Sequence, residues 1–113
     1  LEHILNPEKA FAEIARTLKR GGAHVFTVPW YFWKKTVIRA VGTVNDITHL
    51  KEPKYHKNPV NPDGSLVTRE WGADLTDFIF DCSGMSTTII RQTNRKLGIG
   101  GKFIEVFISK KPF

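Results

Sequence analysis

The sequence predicts an α/β fold. Three observations carry that expectation. Two segments place apolar residues at helical spacing. Three short runs are rich in β-branched and aromatic residues. Their order along the chain is helix, strand, insertion, helix, strand, strand. Strand–helix–strand alternation favours a parallel pair, and a closing hairpin adds an antiparallel member.

The first helix is punctuated at both ends. Asn6 is a favoured N-cap, Pro7 suits the first helical position, and Glu8 complements the positive helix start. Phe11, Ile14, Ala15 and Leu18 form one apolar stripe. Lys19 and Arg20 suit the negative C-terminal end, and Gly21 or Gly22 can take the left-handed cap. Val25–Val28 follows as a short strand with few polar residues, the pattern of a strand covered on both faces. Pro29 ends it, and Trp30, Tyr31, Phe32 and Trp33 form an aromatic cluster. Thr36–Val44 is expected to form a short helix, with Val37, Ile38 and Val41 on one side.

From Asn45 to Arg69 the chain reads as loop-rich, broken by Pro53, Pro59 and Pro62. Asn61-Pro62-Asp63-Gly64 is a strong turn signal, and Leu66-Val67 is a candidate strand behind it. The whole region from about 30 to 72 is expected to be an insertion on one rim of a single domain, 1–113. Asp74–Ser83 is the second helix, with Leu75, Phe78, Ile79 and Cys82 at helical spacing and Gly84 as its cap. Thr87–Arg91 and Phe103–Ser109 are strand-like, and Leu97–Gly101 joins them as a turn-rich connection.

Composition narrows the class. A chain of 113 residues, 41% hydrophobic, can bury enough surface for a true core, so disorder is not expected. No apolar run is long enough to span a bilayer, and no basic-then-apolar leader is recognisable. The chain opens on Leu1 rather than Met, so it reads as a piece of a longer protein. Cys82 is the only cysteine, which excludes an intrachain disulfide and a cysteine metal cluster and fits a cytoplasmic protein. Its apolar context makes it a small core residue. The net charge of +6 comes from scattered lysines and arginines, which argues for a solvated surface over a nucleic-acid site.

The segment Leu1-Glu2-His3-Ile4, Asn6-Pro7-Glu8-Lys9, Ala12–Gly22 and Val25–Pro29 resembles the middle of a class I S-adenosylmethionine-dependent methyltransferase. Tyr55–Pro59, Gly64–Val67, Trp71–Leu75 and Glu105–Lys111 look like uncharacterised bacterial members of the same family. The resemblance implies the C-terminal half of a Rossmann-like sheet. Its core would be mixed and three-stranded, with an antiparallel last strand, flanking helices and a loop-rich insertion. Val25–Val28 would be the family's fifth strand, Thr87–Arg91 the sixth, and Phe103–Ser109 the seventh, inserted between them. The family's glycine-rich cofactor loop and its first four strands have no counterpart in this sequence. Gly98-Ile99-Gly100-Gly101 does not replace the loop, because it does not follow a strand and open a helix. The implied cofactor is S-adenosyl-L-methionine, which this chain alone is not expected to bind.

The resemblance also implies sites. Glu2 and His3 fall just after the family's fourth strand, at the rim where ligands of open α/β sheets bind. They are the candidates for cofactor contact, and His3 also for catalysis. Trp30 and Tyr31 leave the next strand at the same rim and could wall a substrate pocket. The alternative for them is plain packing. His56 in the insertion is a candidate general base. No metal site is expected, because adjacent Glu2 and His3 alone make no cage. His24, His49 and His56 form no ligand pattern. Asp74 fits a helix start better than a catalytic acid. The acceptor in the parent enzyme would be a small molecule. A different class of function also fits: a stand-alone partner-binding or oligomerisation module without catalytic activity. With the fourth strand missing, Val25–Val28 becomes an apolar edge, which predicts a homodimer or higher oligomer.

Overall fold

A computed structural model describes residues 1–113. The elements in chain order are α1 (Pro7–Thr17), β1 (Ala23–Phe26), β2 (Trp30–Tyr31), β3 (Val37–Ile38), β4 (Ala40–Thr43), β5 (Asp46–His49), β6 (Tyr55–His56), β7 (Ser65–Leu66), β8 (Arg69–Gly72), α2 (Leu75–Ser83), β9 (Ser86–Ile90) and β10 (Val106–Lys110). A single 3₁₀ turn, Arg95–Leu97, lies between the last two strands. The fold is α/β, with two helices and small antiparallel and mixed sheets.

Both helices begin and end for local reasons. The Asn6 side chain accepts the Lys9 amide at 2.9 Å, which satisfies one of the free donors of the first turn. After Leu18 turns extended, Gly21 takes the left-handed conformation, at φ +73°. Gly84 ends α2 at φ +70° with its amide on the Phe80 carbonyl. There a side chain would be strained, and glycine is not.

The main sheet has the order β1-β10-β9, and both of its ladders are antiparallel. β1 and β9 therefore run in the same direction with the last strand between them. The parallel relationship expected of them exists in direction only, with no hydrogen bonds joining the two. His24, Phe26, Phe107, Ser109, Thr87 and Ile89 point to one face, in register across the three strands. The core is built there from Phe11, Ala15, Val28, Trp71, Leu75, Ile79, Met85 and Phe107. The stripes of α1 and α2 supply most of it, and Cys82 packs at its margin. The opposite face of the sheet carries Val25, 60% exposed, and Ile90, 44% exposed. The expectation that Val25–Val28 is covered on both faces is therefore corrected. The strand is Ala23–Phe26, alternating exposed and half-buried, and nothing in this chain lies over its outer side. Val28 is buried beyond the strand end.

From Asn45 to Arg69 most residues lie outside regular structure, as expected, and the strands set into the region are short. The expected helix at Thr36–Val44 is instead β3 and the first arm of the β4–β5 hairpin, closed by a two-residue turn at Val44-Asn45. Thr36, Val37, Ile38, Val41, Thr43 and Val44 are β-branched, which favours the pleated conformation. Gly42, at φ +114°, lets the Asp46 carbonyl approach where a Cβ would collide. The turn at Asn61–Gly64 forms as its composition dictates, with the Gly64 amide on the Asn61 carbonyl at 3.0 Å. It closes the β6–β7 hairpin.

β8 is the centre of this region and is buried along its whole length. It pairs in parallel with β2 and antiparallel with β3, giving the one mixed sheet. Trp71 is fully buried and packs on Phe11 and Phe78. Gly72 lies so close to the Lys34–Thr36 backbone that an added Cβ would fall 2.2 Å from the Lys34 carbonyl oxygen. No helix is long and apolar enough to cross a membrane.

Trp71→Ala is expected to cost about 3–5 kcal/mol in a urea melt, the range for emptying a large core site. Trp71→Phe should cost clearly less. It keeps most of the volume and removes a buried indole N–H that has no acceptor.

Candidate functional site

Three groups of polar residues stand out, and the first was only half visible in the sequence. Residues Leu1–Ile4 are held against the start of β8. Thr68, almost fully buried, donates its amide to the Glu2 carbonyl at 2.8 Å and its hydroxyl to the Ile4 carbonyl at 2.7 Å. That anchoring presents Glu2 and His3 to the β6–β7 hairpin. There the His3 Nδ1 bonds the Leu66 carbonyl at 2.8 Å. A carbonyl only accepts, so Nδ1 carries a proton, and Nε2 is the nitrogen left to face Glu2. Nε2 lies 3.5 Å from Glu2 Oε1.

His56, on β6, completes the group. Its ring meets the His3 ring edge-on with centroids 5.0 Å apart. One ligand atom from each of Glu2, His3 and His56 lies within 4.8 Å of the others. Burial works against ionisation of the Glu2 carboxyl. Its own backbone amide and the Leu1 ammonium outweigh that effect and hold the carboxyl below the usual range. Glu2 Oε2 is engaged by that ammonium at 3.1 Å, which leaves Oε1 toward His3. Glu2 and His3 are adjacent in sequence and make no cage between them. The hairpin sets a third potential donor beside them, 53 residues from His3 in sequence. His49 stays on the exposed β5 arm, outside this group.

The second group is an aromatic cleft of about 380 Å³, lined by Trp30, Tyr31, Phe32, Trp33 and Phe103, with Arg91 and Glu105 at its polar side. Trp30 and Tyr31 thus both reach one cleft. Trp30 is also structural: its indole donates to the Gly72 carbonyl at 2.8 Å, and its ring packs edge-on against Phe107. Tyr31 meets Phe103 edge-on with centroids 5.4 Å apart. Phe103 holds φ +55°, the left-handed region that bulky residues avoid. Glu105 is buried. One of its oxygens accepts from Arg91 at 2.8 Å and the other has no partner.

The third group is an ion cluster around Glu70, on β8. Lys34 Nζ and Arg39 Nη1 each lie 2.7 Å from one of its oxygens, and Lys54 Nζ lies 3.6 Å away. The hydrogen bond from Lys34, with the charges of Lys54 and Arg39, holds the Glu70 carboxyl below its usual range against the cost of burial. Next to it, Arg69 pairs with Glu8 at 2.7 Å and lies over the Trp71 and Phe78 rings. This cluster went unread in the sequence. The signal was slight: Thr68-Arg69-Glu70 is a short polar run between Val67 and Trp71.

The remaining candidates are structural. Asp74 Oδ1 accepts from the Thr36 amide and hydroxyl at 2.8 and 2.7 Å. Burial opposes its ionisation, but these bonds hold it low. His24 stacks on Phe26 at 4.5 Å with a buried, unpartnered Nδ1, and burial pushes its pKa down. The segment Gly98–Gly101 follows a 3₁₀ turn and opens no helix.

No protein-family model matches the chain, and neither a curated protein nor a solved structure is significantly similar to it.

Glu70→Gln should destabilise the fold by about 3 kcal/mol at neutral pH, because it strips a buried carboxylate from its cations. The pH dependence follows from the direction of the shift. A carboxyl held low in the fold adds stability above its unfolded value near 4.5 and loses it as pH falls through the folded value. The gap between wild type and Glu70→Gln in denaturant melts should therefore narrow in acid.

Proposed function

We propose that this chain forms the sheet-closing part of a class I S-adenosylmethionine-dependent methyltransferase. The observation that carries the reading is the order β1-β10-β9, with the last strand of the chain lying between two co-directional strands and antiparallel to both. That is the arrangement the family resemblance implies for its fifth, seventh and sixth strands. One further feature supports it. The outer edge of β1 has no hydrogen-bonded neighbour, the position a fourth strand would fill.

In this reading the complete enzyme moves a methyl group from the sulfonium of S-adenosylmethionine to a nucleophilic atom of a small acceptor. The protein's main task is to align the two reactants and accept a proton. The missing leading strands carry the cofactor. This chain contributes the rim after them, with Glu2, His3 and His56, and the aromatic cleft at Trp30 and Tyr31 as the acceptor side. Titration calorimetry with S-adenosylhomocysteine tests it. The present chain should give no binding heat up to millimolar ligand. A polypeptide extended upstream of Leu1 should bind at about 1–100 μM and carry a strand, glycine-rich loop and helix. An extended protein without that pattern, or without binding, would overturn the reading.

The bare face and free edge of β1 also favour a second reading, a module that associates through this surface without catalysis. Light scattering would then show concentration-dependent dimers that Val25→Lys disperses. A monomer at every concentration would remove this reading.

A further inference from the structure

We propose that Glu2, His3 and His56 form a binding site for a divalent transition metal of the Zn²⁺ class. The starting point is a close pair of potential donor atoms. His3 Nδ1 is committed to the Leu66 carbonyl, which turns Nε2 toward Glu2 Oε1 at 3.5 Å. A positive centre, a proton or a metal ion, can be shared across that gap. Two donors about 2.0–2.1 Å from a tetrahedral ion stand roughly 3.4 Å apart. The observed separation matches that edge without rearrangement.

The third vertex is already close. His56 presents its ring edge-on to His3, and the three donor atoms fall within 4.8 Å of one another. Two imidazoles and one carboxylate are a donor set suited to Zn²⁺ and its neighbours in the first transition row, and poorly suited to Mg²⁺ or Ca²⁺. Three protein ligands leave one position open for water or a substrate oxygen.

The surroundings are organised as ligand supports. The Leu66 carbonyl fixes the His3 ring and its tautomer, the role that outer hydrogen bonds play at histidine ligands. Thr68 pins the backbone of Glu2 and Ile4. Leu66 pairs with Tyr55, and Ser65 with His56, so one hairpin supplies both a ligand and the support of another. The His3 side chain is one-third exposed, which leaves an approach from solvent. The competing group is the Leu1 ammonium, which holds the other oxygen of Glu2. The site stands independently of the methyltransferase reading. If it fills, an imidazole nitrogen of each histidine is bound to the ion, and the fourth position is left to water.

The test uses the full chain without an affinity tag. Zn²⁺ is titrated calorimetrically, and Co²⁺ is followed by its visible ligand-field absorption. One equivalent of micromolar binding is expected, with the intense bands of a four-coordinate ion. His56→Ala and Glu2→Gln should each weaken binding roughly tenfold or more, whereas His49→Ala should not change it. In the wild type, Zn²⁺ should shift the ring nitrogen resonances of His3 and His56 and spare His24, a readout that needs no variant. Absence of stoichiometric binding overturns the proposal. So does binding that His56→Ala leaves intact, or resonance shifts confined to His24 or His49.

Discussion

The architecture depends on one constraint: a strand that carries an arginine and a glutamate has to be buried. β8 has Arg69 and Glu70 side by side inside the protein, next to a fully buried Trp71. An isolated buried charge is far too costly to keep, so each must be met by a partner of opposite sign. Glu70 is met by Lys34, Arg39 and Lys54, which come from three separate points of the region between the main sheet and α2. Arg69 is met by Glu8 from the first turn of α1, and its flat guanidinium covers two aromatic rings. The first turn of α1 and the segments between the main sheet and α2 meet at this strand and supply the opposite charges there.

The same strand fixes geometry that charges alone would not. Gly72 gives the chain a point where the Lys34–Thr36 backbone can pass within contact distance. The Trp30 indole and the Thr36 hydroxyl use the carbonyl and amide of Gly72 at that crossing. Asp74 then takes both the amide and hydroxyl of Thr36, so the start of α2 is tied to the same place. Just upstream, Thr68 holds Glu2 and Ile4. Structural stability and the placement of Glu2, His3 and His56 therefore share one anchor.

The main sheet shows a different economy. Its inner face sets Phe26, Phe107 and Ile89 among His24, Ser109 and Thr87 under two helices, whereas its outer face is bare at Val25 and Ile90. An antiparallel sheet can leave one face to solvent, and the bare face here is the one open to association.

Local chemistry made part of this legible in the sequence. Asn6 and Pro7 set the start of α1, Gly84 set the end of α2, and Asn61–Gly64 set a turn, because each acts within a few residues of itself. The β-branched run at Thr36–Val44 was read as helix because its apolar residues fit either period. Pairing with β8 and β5 decided for the strand. Glu2, His3, Trp30, Tyr31 and His56 were visible as residue types. What no local pattern could show was that His56 reaches His3, that Tyr31 reaches Phe103, or that Glu70 gathers three cations. Those contacts depend on how distant segments cross, and the crossing is set by the burial of β8. The sequence by itself determined caps, turns and apolar stripes, since these are governed by nearest-neighbour sterics and hydrogen bonds. Only the tertiary structure decided the ligand set, the cleft and the ion cluster, since each draws on residues dozens of positions apart.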